Sequence, residues 1–567
     1  MRKILYAQWL CLLFILLNIN VSCTDDKDSI KEGNGFSDQS WSTGQTYYIN
    51  AEQTLTFSFT TVGSWTAQSS PSTLLTLSTN AGNSGKNTLS VTAHNSSQTQ
   101  ATVTIQVGGY SSNNTIKIQL TKDAVADKEI NLLVDDYLKR MYLWNDEYKT
   151  LTPNFNLDYY DFLENTLMSM TSNTLDKKLN KDGEYSLFSF IDKLDPSLQS
   201  TVRNAKEPKK QTYNYGVAGL LILEYSNNNR SLVVQSVYPG SSADKAGIKR
   251  GTEITHIDNQ KLTENNVLTN ANRLFQPTST STIVVRDSDE KEYSISSAPI
   301  YANPILYHHV KNKIGYLVYH SFDAGFDQEL LDVFKEFKSQ NITDLILDLR
   351  YNGGGHVMSA NLISSCIAGD KCKDLTFAEY RYNNERMRAL NNVREKEKFA
   401  YSSYKNLGNI SLAEGGLNLS RVYCLVSDQS ASASELVINS LKGIGVDVIL
   451  IGSTTHGKNV GMEGVRFNTA TARYELAPIT FQIYNAKGEG DYEKGFAPNY
   501  TINENTNGGM GFIGYNDFGA DNEILYAKAI SLITGKKNAV LNATRSASIP
   551  SSIPLRSVGK GFIGMIK

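Results

Sequence analysis

Three short runs of this chain bring together residue types able to do nucleophilic chemistry. Leu345 to Val357 reads Leu-Ile-Leu-Asp-Leu-Arg-Tyr-Asn-Gly-Gly-Gly-His-Val. About eighty residues on comes Ser430-Ala431-Ser432-Ala433-Ser434-Glu435, and soon after it Thr455-His456-Gly457-Lys458. A glycine run frees backbone amides to face a ligand at the start of a helix. A serine hydroxyl beside such amides can attack a carbonyl, and the amides can hold the oxyanion that forms. A lysine can take the serine proton only if its pKa falls well below ~10.4, which burial in an apolar pocket achieves.

The elements around these runs would bring them together. Leu345–Leu349, Val422–Val426 and Val448–Ile451 read as buried strands of an α/β sheet running from Ile314 to about Gly535. Helical spacing follows the glycines at Val357, Met358, Leu362, Ile363 and Cys366, and follows the serines at Leu436, Val437, Ser440 and Leu441. Ser432 thus falls at a strand-to-helix turn, where the positive helix end favours a developing alkoxide or oxyanion. In an α/β sheet the strand exits share one edge, so glycine loop, serine and lysine can converge there. His356 and His456 also reach that edge and leave a Ser-His-Asp arrangement open. Asp348 and Arg350 read as ties for the strand end.

Upstream, residues 212–297 carry Val237-Tyr238-Pro239-Gly240-Ser241-Ser242-Ala243-Asp244-Lys245-Ala246-Gly247-Ile248-Lys249-Arg250-Gly251-Thr252-Glu253-Ile254. The order strand, turn, short helix and Gly-marked return strand resembles a PDZ domain. That resemblance implies capture of a polypeptide C-terminus as an added strand, its carboxylate held by backbone amides at Gly216, Val217, Ala218 and Gly219. The helix Glu264 to Phe275 would be the other wall of the groove.

With the PDZ pattern in place, the three runs resemble peptidase family S41, the C-terminal processing and tail-specific serine proteases. The resemblance implies a ClpP/crotonase-like α/β catalytic domain over 300–535, with Ser432 as nucleophile and Lys458 as base. Its oxyanion amides would be those of Gly354 or Gly355 and of Ala433. Residues 128–205 would be the helical domain that precedes the catalytic part. The family often has Gln or Glu four residues after the lysine; Met462 stands there, leaving Glu463 or backbone carbonyls to orient the amine. Aromatic residues are common in the family at the place of His456, which favours packing there.

Residues 36–122 alternate apolar and polar in runs such as Leu55-Thr56-Phe57-Ser58-Phe59-Thr60, as a β-sandwich does. Gly63-Ser64-Trp65-Thr66 and the closing Thr115–Leu120 resemble a BACON-type domain, which implies glycan contact. One tryptophan in a sandwich is more often core than sugar platform, and a spacer role is the plainer expectation.

Met1-Arg2-Lys3 and the apolar Leu10–Leu17 read as a signal segment, and Val21-Ser22-Cys23 resembles a lipoprotein cleavage site despite Asn20. The expectation is export, with 1–23 as signal peptide ending at a lipidated Cys23 and anchoring to the outer membrane of a cell envelope. Besides Cys11 and Cys23, only Cys366, Cys372 and Cys424 are left, which is no disulfide framework. With 55 Lys and Arg against 57 Asp and Glu, nothing argues for a nucleic-acid partner. No His/Cys/Asp cluster has metal-ligand spacing, so neither metal nor organic cofactor is expected.

Tyr380 to Leu419 is longer than most connections and reads as a lid or an exposed excursion. Residues 536–567 hold six basic and no acidic side chains and read as a weakly ordered tail. The expected molecule is therefore multidomain: β-sandwich, helical domain, PDZ and catalytic domain, acting as an exported endopeptidase on C-terminal polypeptide segments. Its rival is a catalytically inactive surface protein binding peptide or glycan.

Overall fold

A computed structural model of the chain describes residues 35–39, 41, 46–50, 54–94, 100–121, 124–179, 185–194, 209–225, 228–275, 277–469, 472–507, 510–512, 514–536, 551–555 and 565–566. The expected signal segment with Cys23, residues 195–205 of the expected helical segment, and 537–550, 556–564 and 567 of the tail lie outside the described residues. The chain divides into two units, Met1–Ala124 and Val125–Lys567.

The first unit is a two-sheet sandwich. One sheet orders Phe36–Gln39, Thr54–Thr61, Gly85–Ala93 and Leu75–Leu77; the other orders Thr46–Asn50, Asn114–Thr121, Gln100–Val107, Trp65–Ser70 and Ala81–Gly82. Along Gln100–Val107 every second residue is buried, the period of a strand with one face on the core. Trp65 is itself core, in edge contact with Phe59, and offers no stacking face to a sugar.

In the second unit, the expected PDZ segment forms a sheet ordered Glu292–Ser296, Thr282–Asp287, Glu253–Ile257, Arg230–Val237 and Val217–Glu224. Helix Val267–Phe275 lays Val267, Ala271 and Leu274 into the core of this sheet. Its sixth strand is Ser551–Leu555, antiparallel to Val217–Glu224. An apolar strand edge thus offers residues 551–555 a row of backbone partners.

The main sheet orders Ile305–Lys311, Ile314–Tyr319, Asp344–Asp348, Arg421–Val426, Asp447–Gly452 and Tyr500–Thr501, all parallel except the first pair. Strands covered on both faces read as unbroken apolar runs, as Leu345–Leu347 and Val422–Val426 do. Helices Val357–Ala368 and Ala433–Gly443 share one core with this sheet and with a second one containing Thr376–Tyr382 and Ile479–Tyr484. Helix Ile524–Thr534 packs Leu525, Tyr526 and Ala529 against Ile346, Leu425 and Ile451.

Two expectations are corrected. Tyr380 to Leu419 is an exposed excursion only in its middle, residues 388–396; on either side Tyr380, Tyr382, Phe399, Tyr401, Tyr404, Leu412 and Leu419 are buried in the main core, and Thr376–Tyr382 pairs with Ile479–Tyr484. Charged residues between those aromatics hid this from a reading of composition. The segment expected to be helical is so at Ala124–Met141, Asn145–Tyr148 and Tyr159–Met168, but Lys177–Leu179, Tyr185–Leu187 and Phe190–Lys193 are strands. The last of these pairs with Arg473–Ala477, so this segment packs onto the α/β part and shares a core with Val460, Met462 and Tyr474.

Candidate active site

Strands Asp344–Asp348, Arg421–Val426 and Asp447–Gly452 lie side by side and parallel, so their exits open on one edge. The first exit is shaped by Asn352. Its Nδ2 donates to Tyr319 O (2.8 Å) and its Oδ1 accepts the Gly354 N–H (2.9 Å). Its carbonyl accepts the Ala431 N–H (3.1 Å) and the Ser434 hydroxyl (2.9 Å) from the serine turn. Ser430 Oγ donates to Leu349 O at 2.7 Å, and the Ser427 hydroxyl donates to Arg350 O. The glycine turn and the serine turn are thus laced together. Gly355 sits at φ +140°, where a Cβ would come 2.2 Å from Phe322 O, so no larger residue fits.

Of the three serines, two are committed to this lacing. Ser432 Oγ is buried and donates no hydrogen bond among the described residues. The residue stands at φ 60°, ψ −110°, immediately before helix Ala433–Gly443. That conformation costs a non-glycine residue roughly 1–3 kcal/mol, and the interlocked turns hold it there. Ala433 opens the helix, where first-turn N–H groups lack intrahelical acceptors.

Glu435, fully buried, joins serine to lysine. Its Oε2 accepts the Ser432 N–H (2.9 Å) and the Lys458 N–H (2.8 Å), so one oxygen holds both backbones. Its Oε1 accepts the Gly457 N–H (2.7 Å) and the Thr455 hydroxyl (2.6 Å). Burial raises the pKa of this carboxyl, and the four donors oppose the rise. The Ser-x-x-Glu spacing of a helix start was legible as a capping pattern; its use here is to bind the lysine loop as well.

Burial pulls Lys458 down from 10.5 to about 7, opposed by the negative charges of Asp176 and Glu435. Near pH 7 a sizeable fraction of the amine is then neutral and able to accept a proton. Its Nζ lies 4.4 Å from the centre of the Phe188 ring, which favours the protonated form. Asp176 is buried too, accepting from Tyr142 OH (2.6 Å), Ser189 Oγ (2.6 Å), Ser189 N (2.8 Å) and Phe188 N (3.1 Å). Asp176 and Phe188 come from the segment preceding the PDZ domain, and no sequence signal tied them to the lysine.

Glu463 does not orient Lys458. It pairs with Arg386 (Nη2 to Oε1 2.9 Å), while Met462 is buried among the residues that the helical segment covers. A strand's alternation turns adjacent side chains to opposite faces and takes them from the loop that holds the amine. The His456 ring packs edge-on against Phe188 at 5.6 Å and meets Asp428 O through Nδ1 (3.2 Å); the His356 Nδ1 meets Phe322 O (3.0 Å).

A buried ionic cluster ties the PDZ segment to the glycine turn. Arg350 contacts Asp348, Glu504 and Glu523, each at 2.7 Å. Arg250 contacts Glu504 at 2.9 Å and donates to the hydroxyl of Tyr351, the neighbour of Asn352, at 2.7 Å.

The carboxylate loop departs from expectation. Only Tyr215-Gly216 is a turn; Val217, Ala218 and Gly219 begin the strand Val217–Glu224, bulged at its start. The Gly216 N–H donates to Asn214 Oδ1 at 2.5 Å. The side chain of Asn214, two residues upstream, thus takes one of the four amides expected to face a carboxylate.

Comparison with known proteins fits this arrangement. Residues 313–502 match the sequence profile of Peptidase family S41, and residues 209–286 match that of the PDZ domain. The chain carries a PDZ domain and a peptidase family S41 domain. Over 340 residues it is 26% identical to the Staphylococcus aureus protein named Probable CtpA-like serine protease, covering 58% of this chain and 63% of that one. A Staphylococcus epidermidis protein of the same name is 25% identical over 296 residues, covering 50% and 55%. The chain thus spans less than two thirds of the length of these relatives. In fold it is similar to a Bacteroides fragilis chain described as an S41 protease (TM-score 0.55, 24% identity, 72% of this chain and 98% of that one). The three turns of the candidate site all fall within the S41 match, whereas Asp176 and Phe188 fall outside it.

Proposed function

We propose that this protein is a serine endopeptidase of the C-terminal processing type, with Ser432 as nucleophile and Lys458 as base. The observation that carries the reading is the Glu435 carboxylate, one oxygen of which accepts from the backbones of both residues. Lys458 takes the Ser432 proton as Oγ bonds to the scissile carbonyl carbon. The oxyanion is met by the amides of Gly355 and Ala433; the Gly354 N–H is already given to Asn352 and shapes the loop instead. Lys458 returns the proton to the leaving amine as the C–N bond breaks, and water then hydrolyses the acyl-enzyme.

The test is degradation of an unstructured protein by the soluble form beside single variants. Ser432→Ala and Lys458→Ala each lose at least about a thousandfold in kcat/KM, while Ser430→Ala, Ser434→Ala and His456→Ala retain the chemistry. Cleavage that survives Ser432→Ala overturns the assignment. No cleavage by any form, across varied substrate C-termini, favours a binding protein on a protease scaffold.

Export and anchoring through a lipidated Cys23 belong to the same proposal. No helix among the described residues is long and apolar enough to cross a membrane. Labelled fatty acid incorporated by the natural chain and absent from Cys23→Ser supports the anchor; equal labelling of both removes it.

A further inference from the structure

Strand Val217–Glu224 is apolar or glycine from Val217 to Leu223, and these seven residues are buried. Left open, such an edge is a template for any extended chain. Here it is covered by Ser551–Leu555, in antiparallel register from Leu220 opposite Leu555 to Glu224 opposite Ser551. The tail strand therefore runs toward the Tyr215-Gly216 turn, on the edge where a PDZ domain adds a peptide strand.

The same tail reaches the candidate active site. Met565–Ile566 lies parallel to Gly355–His356, with Gly355 opposite Met565 and His356 opposite Ile566. On its other side Ile566 pairs with Met462, in the strand Val460–Met462 that begins two residues after Lys458. Within this sheet the tail is the only strand joining the glycine turn to the lysine strand among the described residues. A polypeptide being cut must occupy that place, between the oxyanion amides and the base.

We infer that the strands Ser551–Leu555 and Met565–Ile566 act as a built-in peptide ligand of this chain, the first holding the PDZ edge and the second the cleft of the candidate site, and exclude external polypeptide until displaced. The inference rests on the peptidase reading for what is excluded, but the docking itself does not depend on catalysis. Pro554 fits this role: proline lies on an edge strand where its missing donor faces away from the partner. By alternation the Ile553 N–H then points at Val217–Glu224. A tethered segment has an effective concentration of about 1 mM, so a peptide of about 100 μM affinity would leave roughly one molecule in ten open. Release should therefore raise kcat/KM about tenfold.

The experiment compares the full chain, the full chain with Ile553→Pro, and a chain ending at residue 550. The Ile553→Pro form keeps the tail's length should the shortened chain fold poorly. Both altered forms should degrade the unstructured protein about tenfold faster, and a synthetic 551–567 peptide should inhibit the shortened form competitively. Independently of activity, fluorescein-labelled 551–567 peptide should bind the shortened chain carrying Ser432→Ala, and the same peptide with Ile553→Pro should bind at least about fivefold more weakly, as for one lost ladder bond. Binding without cleavage by any form upholds the docking and sinks the peptidase reading. Cleavage unaffected by the tail, with no binding of labelled peptide, overturns the inference and leaves the peptidase standing.

Discussion

At the scale of single residues the chemistry turns on the Lys458 amine. If it is the base, kcat/KM rises with pH and levels off above about 7, where the amine is neutral. Asp176 holds that pKa up through its negative charge, so Asp176→Asn should move the midpoint to lower pH, while a merely structural Asp176 would lower the plateau and leave the midpoint in place. A pH series of initial rates reads both. The same burial has a signature in stability. Between about 7 and 10.5 the unfolded chain binds the Lys458 proton and the folded chain does not, so the contribution to stability rises with pH across that window. Lys458→Met should therefore raise Tm, most below pH 7, with the gain shrinking toward pH 10. A gain independent of pH would mean that the amine is not held neutral.

At the scale of elements, the glycine turn is positioned from three directions: by the serine turn through Asn352, by the neighbouring strand through Tyr319, and by the PDZ segment through Tyr351. Arg250 is the PDZ end of the last link, buried against Glu504. Removing one partner of a buried ionic cluster leaves uncompensated charge and costs about 3–5 kcal/mol. Arg250→Met should lose stability of that order in chemical denaturation. It should also lower kcat more than it raises KM, because the substrate groove is untouched while Tyr351 loses its hydrogen bond. A loss confined to KM would show that the cluster does not reach the glycine turn. Much of this scale was legible: apolar runs gave the strands, and the spacing at Val357 and Leu436 gave the two helices that follow the turns. The ties among turns were not, because Asn352 to Ala431 or Arg250 to Tyr351 are contacts between distant segments of polar residues that, read singly, suit a solvated loop.

At the scale of the whole molecule, the sandwich has its own closed core, built from residues 36–120. A chain from which residues 24–124 are deleted should keep kcat/KM on a soluble substrate within about twofold, since the sandwich buries its own core. A larger loss in that assay would give the sandwich a part in catalysis. The segment preceding the PDZ domain should behave in the opposite way. It supplies Asp176 and Phe188 to the lysine and shares a core with Val460 and Met462, so it is no separable domain.

By itself the sequence determined the things that depend on neighbours along the chain. The strand-turn-helix units and the small residues at the two turns follow from local periodicity and from glycine's freedom of φ, while the PDZ part and the choice of Ser432 and Lys458 came from the resemblance that those runs carry. Tertiary structure decided which of three serines has an uncommitted hydroxyl, since hydrogen bonds to Leu349 and Asn352, some eighty residues away, occupy the other two. It decided that Glu435 and Asp176, not Glu463, surround the lysine, because burial and facing direction are properties of the packed chain. It also placed residues 551–555 and 565–566 in strands, since a strand's partner is chosen by an open edge elsewhere in the fold and leaves no mark at the strand's own residues.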